Sequence, residues 1–303
     1  MTRPTVFRAH AKVNLGLDVL GTRPDGYHEI RTVLQSIALC DDLHVEPAPE
    51  LTFTCSETAL GPPEDNLVMR AARLLREAFG GPAQGAKIHL LKRTPAQAGL
   101  GGGSSDAAMA LLALAQLWKL PSSPADLLPL AARLGSDVPF FLTGGTALGI
   151  GRGEEVYALP DAPPLSVLIV VPGRGMPTVE AYARLDQRLT GPISLHRMTT
   201  LVHGIVDGRL GEGLLYNVFE EVQPHEEGEV AALRRVSAGM GKGRLLLAGS
   251  GSAWVALFSN HEDAREAGRR LSRRGVKGIL TQSLARRDYW ERSLPATAKE
   301  FRP

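Results

Sequence analysis

Apolar and polar residues alternate strictly near the N-terminus, from Ala11 to Leu20. The apolar face is made of Val13, Leu15, Leu17 and Val19, and the polar face of Lys12, Asn14, Gly16 and Asp18. Because the side chains of a strand point alternately to its two sides, the pattern predicts a β-strand with Lys12 and Asn14 side by side. A turn signal at Pro24-Asp25-Gly26 and an apolar-rich segment from Tyr27 to Leu34 predict a hairpin with a second strand.

Farther along the chain, the spacing of apolar residues and the amino-acid composition predict four helices. The predicted helices cover Asp65–Glu77 with Gly80-Gly81 behind it, a run to Ala115 that begins at Ser104 or Ser105, Pro124–Leu134 ending near Gly135, and His261–Arg274. Further strands are predicted at Leu43–Glu46, Leu51–Cys55, Gly144–Gly153, Leu165–Val171 and Gly278–Gln282, with two more between Leu245 and Phe258 joined by a Gly249-Ser250-Gly251 turn. The strands from Leu165 onward, together with the helix at His261–Arg274, predict a small α+β second domain.

The best linker candidate is Pro160–Pro164, which is rich in proline. It suggests two domains, residues 1–160 and 165–285. The remaining residues, 286–303, form a polar tail that we expect to be mobile.

The stretch from Pro95 to Trp118 has the composition of a phosphate loop. Gly99, Gly101, Gly102 and Gly103 let backbone N–H groups approach an anion, and Ser104 and Ser105 precede an Ala/Leu-rich helix. The free N–H groups and positive end of such a helix suit phosphate oxygens. The loop lacks the lysine of a Walker A motif, and Thr94–Gln97 separates it from the preceding apolar segment, unlike a dinucleotide fingerprint. The alternative is a glycine-rich turn with a capping serine.

Composition narrows the possible partners and location. A net charge of +2 without a basic stripe argues against nucleic acid as a partner. Cys40 and Cys55 are too few for a disulfide framework or a zinc cluster, which is typical of a reducing compartment. No apolar run is long enough to cross a membrane, and the first residues lack a signal core. We therefore expect a cytoplasmic protein without membrane association.

Three motifs together resemble those of the GHMP kinases, the family of galactokinase, homoserine kinase and mevalonate kinase. They are AKVNLGLDVL with the following RPDGYHEI, the loop PAQAGLGGGSSDAA, and AGSGSAW near the C-terminus. A fourth matching segment, GSDVPFFLTGGTALGIGRGE, contains Asp137. The resemblance extends from about Ala11 to Phe258. RPDGYHEI is typical of a branch whose acceptor carries cytidine diphosphate.

The resemblance implies a two-domain GHMP kinase fold. Its N-terminal α/β domain is related to a ribosomal-protein domain, its C-terminal α+β domain is ferredoxin-like, and the active site lies in the cleft between them. The implied reaction is ATP-dependent phosphorylation of the 2-hydroxyl of a cytidine diphosphate-linked methylerythritol, a small-molecule substrate, in the non-mevalonate isoprenoid route. No protein partner is implied. Asp137 would be the catalytic base, and Lys12 would favour its ionised form and polarise the attacking oxygen.

The resemblance also assigns binding residues. For ATP they are Pro95, Gly99, Leu100, Gly101, Gly102, Gly103, Ser104, Ser105 and Asn66. For the acceptor they are Asn14, Tyr27, His28, Thr178 and Tyr182, with the tyrosine stacking on cytosine. Phosphoryl transfer normally needs Mg²⁺, whose ligands remain unknown apart from Ser105 as a candidate.

Other interpretations of the same residues stay open. Lys12 and Asp137 could form a structural ion pair without chemistry, and Tyr182 could serve only core packing. The chain could instead phosphorylate homoserine or mevalonate, which do not need cytosine recognition. A protein of another class, a nucleotide sensor, would keep the loop and not depend on Asp137.

Overall fold

A computed structural model describes residues 4–57, 61–79, 84–120, 123–173, 176–188, 196–223, 228–239 and 243–296. The strands are β1 Thr5–Thr22, β2 His28–Pro47, β3 Leu51–Cys55, β4 Ala86–Leu91, β5 Thr146–Gly151, β6 Glu155–Ala158, β7 Ser166–Val170, β8 Tyr216–Asn217, β9 Arg244–Leu247, β10 Trp254–Phe258 and β11 Ile279–Gln282. The α-helices are α1 Leu67–Phe79, α2 Gly102–Leu117, α3 Pro124–Leu134, α4 Thr178–Asp186, α5 His196–Val206, α6 Gly228–Ala238, α7 His261–Ser272 and α8 Arg286–Ser293.

The first sheet has seven strands around the antiparallel β1–β2 hairpin. Its main order is β3-β4-β2-β1-β8, and β5 pairs with both β2 and β6. The register of the hairpin shifts between His10 and Lys12 and again between Asn14 and Gly16. Such irregularities bend a strand and redirect its side chains, often beside active sites. The two shifts lie on either side of Lys12 and Asn14.

Helix α2 is the centre of the N-terminal core. Nearly all its residues from Ser105 to Ala115 are buried, among side chains of α1, α3 and the first sheet. An all-apolar helix is stable only when it is covered on every side. Its beginning is therefore held rigidly against β1.

The second sheet is antiparallel, with the order β11-β7-β10-β9. If these four strands are numbered by their order in the chain, they lie across the sheet as 4-1-3-2, which is the ferredoxin-like arrangement. Helices α6 and α7 contribute side chains to the core beside this sheet. A third core joins the two sheets, because Val13 and Leu15 of β1 share a cluster with Ile169 of β7 and Val255 of β10. The α+β fold class predicted from the sequence is confirmed.

Two predicted boundaries are wrong. Helix α2 begins at Gly102, two residues or more before the predicted start, so the serines lie inside its first turn. The strands predicted at Tyr27–Leu34 and Leu43–Glu46 belong to one strand, β2, which begins at His28 and continues through residues 35–42 between them. The predicted stop signal Gly80-Gly81 lies outside the described residues.

The predicted mobile tail is the clearest correction, because residues 286–293 form helix α8. Tyr289 and Trp290 are buried in the N-terminal core. The Tyr289 hydroxyl donates to the Phe141 carbonyl at 2.7 Å, and Trp290 Nε1 donates to the Thr143 carbonyl at 3.2 Å. Helix α8 thus packs on the segment that follows Asp137.

None of the helices within the described ranges combines the length and apolar character that crossing a membrane would require.

Candidate active site

The glycine loop and the Gly249-Ser250-Gly251 turn touch at backbone distance. Gly99 has a φ of +76°, and a Cβ built on it would lie 1.9 Å from the Ala248 carbonyl oxygen. Ala253 N donates to the Ala98 carbonyl at 3.1 Å across the same junction. Only a residue without a side chain permits this approach. The loop and the turn therefore form one wall.

Lys12 and Asp137 lie beside that wall. Lys12 Nζ is 3.6 Å from Asp137 Oδ2 and donates to Asn14 Oδ1 at 3.0 Å. The lysine side chain is 4% exposed, whereas the aspartate is 37% exposed. A buried cation with one carboxylate open to the cleft is a suitable place for a hydroxyl that must lose its proton.

Asn14 is the centre of a hydrogen-bond network. Its Oδ1 also accepts from the backbone N–H of Gly249 at 2.9 Å, and its Nδ2 donates to Thr32 Oγ1 at 2.8 Å. Asn217 Nδ2 holds the same glycine turn from behind, donating to the Leu247 and Gly249 carbonyls at 2.8 and 2.7 Å. The network joins β1, β2 and the glycine turn, so it fixes the lysine relative to the loop.

A cleft of about 1300 Å³ runs from the loop to α4. Of the predicted residues, its lining includes Lys12, Asn14, Tyr27, His28, Gly99, Gly101, Ser104, Asp137, Thr178 and Tyr182. A smaller adjoining pocket of about 370 Å³ is lined by Asn66, Pro95, Leu100, Gly102 and Gly103, and shares Gly99, Gly101 and Ser104 with the cleft. All predicted site residues except Ser105 thus line one of two spaces that share part of the glycine loop.

The far end of the cleft carries aromatic and polar groups. His28 and Tyr182 are stacked, with ring centroids 4.3 Å apart. Tyr27 is 54% exposed, and the Arg152 guanidinium lies 4.8 Å from its ring centroid. Burial, together with the nearby Asp137 and Asp186 carboxylates, raises the pKa of Tyr182 to about 12. Its phenol therefore stays neutral.

A buried ion cluster closes the smaller pocket. Lys92 Nζ donates to Asp106 at 2.8 Å and to Asp41 at 2.5 Å. Burial is the largest effect on the Asp106 carboxyl and raises its pKa. The neighbouring Lys92 lowers the pKa, but burial and repulsion from Asp41 together outweigh it. Lys92 and Asp106 both line the pocket beside the start of α2. They add charged groups to the pocket beside the glycine loop.

Ser105 is a correction to the predicted site. Its side chain is fully buried, and its hydroxyl donates to the His10 carbonyl at 2.7 Å. Because α2 starts earlier than predicted, Ser105 faces β1 instead of the loop. It does not fit as a metal ligand. In the described part of the chain, no group of three His, Cys, Asp or Glu side chains could hold a metal ion.

Thr32 and Asp186 also belong to this region and are not among the predicted site residues. Thr32 bonds Asn14, and Asp186 Oδ1 lies 2.8 Å from His28 Nε2. Thr32 carries a weak signal, since it lies in the predicted second strand of the hairpin. Asp186 lies 158 positions from its partner in the chain, and no local pattern indicates that contact.

The chain matches the family model described as the N-terminal domain of GHMP kinases over residues 66–145. A relative from Pelotomaculum thermopropionicum, named 4-diphosphocytidyl-2-C-methyl-D-erythritol kinase, is 42% identical over 279 residues, covering 91% of this chain and 96% of the relative.

Solved structures agree with that match. A crystal structure of 4-(cytidine 5'-diphospho)-2C-methyl-D-erythritol kinase superposes with a TM-score of 0.75 at 35% identity, covering 92% of this chain and 98% of the other. Homoserine kinase from Cytophaga hutchinsonii superposes with a TM-score of 0.63 at 19% identity over 94% and 96% of the two chains, which concerns the fold alone.

Proposed function

The chain belongs to the family of the 4-diphosphocytidyl-2-C-methyl-D-erythritol kinases, within the GHMP kinases, and from this premise we propose that Lys12 and Asp137 carry out its phosphoryl transfer. The reaction moves the γ-phosphoryl group of ATP to the 2-hydroxyl of 4-diphosphocytidyl-2-C-methyl-D-erythritol, a step of the non-mevalonate route to isopentenyl diphosphate. The products are the 2-phosphate and ADP.

One observation carries the assignment of roles: the 3.6 Å contact between Lys12 Nζ and Asp137 Oδ2 in the cleft that the glycine loop lines. The pair leaves Asp137 accessible, because its side chain is 37% exposed while that of Lys12 is 4% exposed. The carboxylate can therefore meet a hydroxyl group that enters the cleft.

In the proposed mechanism, the oxygen of the 2-hydroxyl bonds to the γ-phosphorus while Asp137 accepts the proton of that hydroxyl. The bond between that phosphorus and the β–γ bridging oxygen breaks, and ADP leaves. Lys12 offsets the negative charge near the reacting oxygens. The first turn of α2, from Gly102, supplies N–H groups and the positive helix end to the phosphates.

The acceptor is proposed to lie with its methylerythritol at Asn14 and its cytidine at Tyr27, His28 and Tyr182. Thr178 is within hydrogen-bond distance of Ser250 in the glycine turn, with 3.0 Å between the hydroxyls, so it connects the two ends of this space. Asn66, Pro95 and the glycines are proposed to hold ATP. The adjoining pocket supports this arrangement, because it opens at the loop.

Mg²⁺ is proposed as the accompanying ion. Ser104, whose hydroxyl oxygen lines the cleft beside the loop, would hold it together with nucleotide phosphates, as Mg²⁺ usually binds. The ion would supply neutralisation of the phosphate charge. We propose that the protein is located in the cytoplasm, because the free thiols of Cys40 and Cys55 are typical of a reducing compartment. We propose no protein partner.

The test is turnover of ATP with a panel of acceptors: the cytidylated methylerythritol, homoserine and mevalonate. Only the first is expected to react. Asp137→Asn should lower kcat by about 100-fold or more, the usual contribution of a general base, while ATP still binds. Asp207→Asn, a carboxylate exposed beside Arg209, is the matched control and should change neither. Turnover of another acceptor, or full activity of Asp137→Asn, would contradict the proposal.

A further inference from the structure

His28 is held at two points by one helix, α4. The imidazole stacks on Tyr182, with the planes tilted by 31°. One turn farther along α4, Asp186 Oδ1 lies 2.8 Å from His28 Nε2. Tyr182 therefore covers a face of the ring while Asp186 holds its edge. The His28 side chain is 14% exposed, so the ring has little room to reorient.

The Asp186 contact determines which ring nitrogen carries the proton. A carboxylate oxygen only accepts hydrogen bonds, so Nε2 of His28 must be the donor. In a neutral imidazole the other nitrogen then has a lone pair and no hydrogen. Asp186 thereby makes Nδ1 of His28 a hydrogen-bond acceptor.

We propose that Asp186 is a positioning residue that makes His28 selective for an aminopyrimidine, cytosine, over an oxopyrimidine, uracil. The inference rests on the proposed function, which brings cytidine into the cleft that His28 and Asp186 both line. Cytosine carries a donor amino group where uracil carries an acceptor carbonyl. An acceptor Nδ1 bonds the amino group and repels the carbonyl oxygen, so the choice of base depends on a residue behind the histidine.

The first test compares kcat/KM for the cytidylated acceptor and for its uridine analogue. In Asp186→Asn the side-chain amide can donate to Nε2, which permits the opposite tautomer. We expect the cytidine-to-uridine ratio to fall by about tenfold or more, through a higher KM for the cytidylated acceptor. The KM for ATP should not change, which also shows that the variant is folded.

Glu180→Gln is the matched control. It makes the same carboxylate-to-amide change on the same helix, but Glu180 pairs with Arg184 and does not line the cleft. Its base preference should equal that of the wild type. An unchanged ratio in Asp186→Asn, with the wild type active and selective, would overturn the inference.

The second test does not depend on catalysis. Imidazole ¹⁵N shifts of the ligand-free protein, assigned by comparison with His28→Gln, report the tautomer directly. We expect a proton on Nε2 in the wild type and a mixture of tautomers in Asp186→Asn. A proton on Nδ1 in the wild type would overturn the inference. If the tautomer is as expected but no cytidylated acceptor turns over, the proposed function fails, and the selectivity for cytosine falls with it.

Discussion

Replacing Gly99 with alanine is expected to destabilise the protein by forcing the glycine loop away from the turn behind it. The new Cβ would lie 1.9 Å from the Ala248 carbonyl oxygen, 2.7 Å from its carbon and 2.9 Å from the Gly251 oxygen. All three are backbone atoms, so no side chain can rotate out of the way. The clash is relieved only if the loop and the turn separate.

The size of the effect follows from two contributions. A non-glycine residue at the left-handed φ of +76° costs about 1 to 2 kcal/mol. Forcing an extra methyl group into packed surroundings costs about 1 to 3 kcal/mol. Together they lower the free energy of unfolding by about 2 to 5 kcal/mol, a large part of the stability of a typical protein.

Urea unfolding followed by tryptophan fluorescence measures this change. With a slope of about 3 kcal/mol/M, the midpoint should fall by about 1 M. Gly103→Ala is the control from the same loop, because its Cβ would meet only Leu67 Cδ1, at 3.7 Å, and it lies in α2. That variant should be as stable as the wild type, or up to about 1 kcal/mol more stable. Equal midpoints for Gly99→Ala and wild type would refute the reasoning.

Two further perturbations concern the core around α8. Burial lowers the pKa of His10 from 6.5 to about 4, so the unfolded chain binds the proton more tightly than the folded protein does. The contribution of His10 to stability is therefore complete above pH 6.5. It falls by about 3 kcal/mol as the pH drops from 6.5 through 4. His10→Leu should flatten this part of the stability–pH curve in urea titrations, and an unchanged slope would exclude His10 as its source. Trp290→Ala should cost about 3 to 5 kcal/mol in the same assay, because the indole is 3% exposed, whereas the exposed Arg287→Ala should cost almost nothing. If both variants match the wild type, α8 does not pack as described.

Local signals predicted the elements that build the loop side of the site. Strict alternation identified β1 and placed Lys12 beside Asn14, now seen 3.0 Å apart from Nζ to Oδ1. Ser123 caps α3 with a reciprocal capping box, and Gly135 ends it as the sequence indicated. These features depend on neighbours within a few residues, which is why periodicity and capping residues report them.

Features that depend on distant partners were not predictable in this way. The sequence of α8, RRDYWERS, is mostly polar, but its two aromatic side chains are buried and donate hydrogen bonds to the carbonyls of Phe141 and Thr143. In β2, Gln35 is a buried polar residue for a similar reason: its Oε1 accepts from Thr146 Oγ1 of β5 at 2.7 Å. Tertiary contacts here outweigh local preference.

The position of α8 has a consequence for how the polypeptide is made. Residues 139–145, next to Asp137, leave the ribosome well before Tyr289 and Trp290, which cover them: Tyr289 lies 148 positions after Phe141, the residue it bonds. Until then the apolar surface around Phe141 is exposed, and it can bind chaperones or misassemble. A gene fragment that stops before Tyr289 and Trp290 would leave that apolar surface permanently exposed.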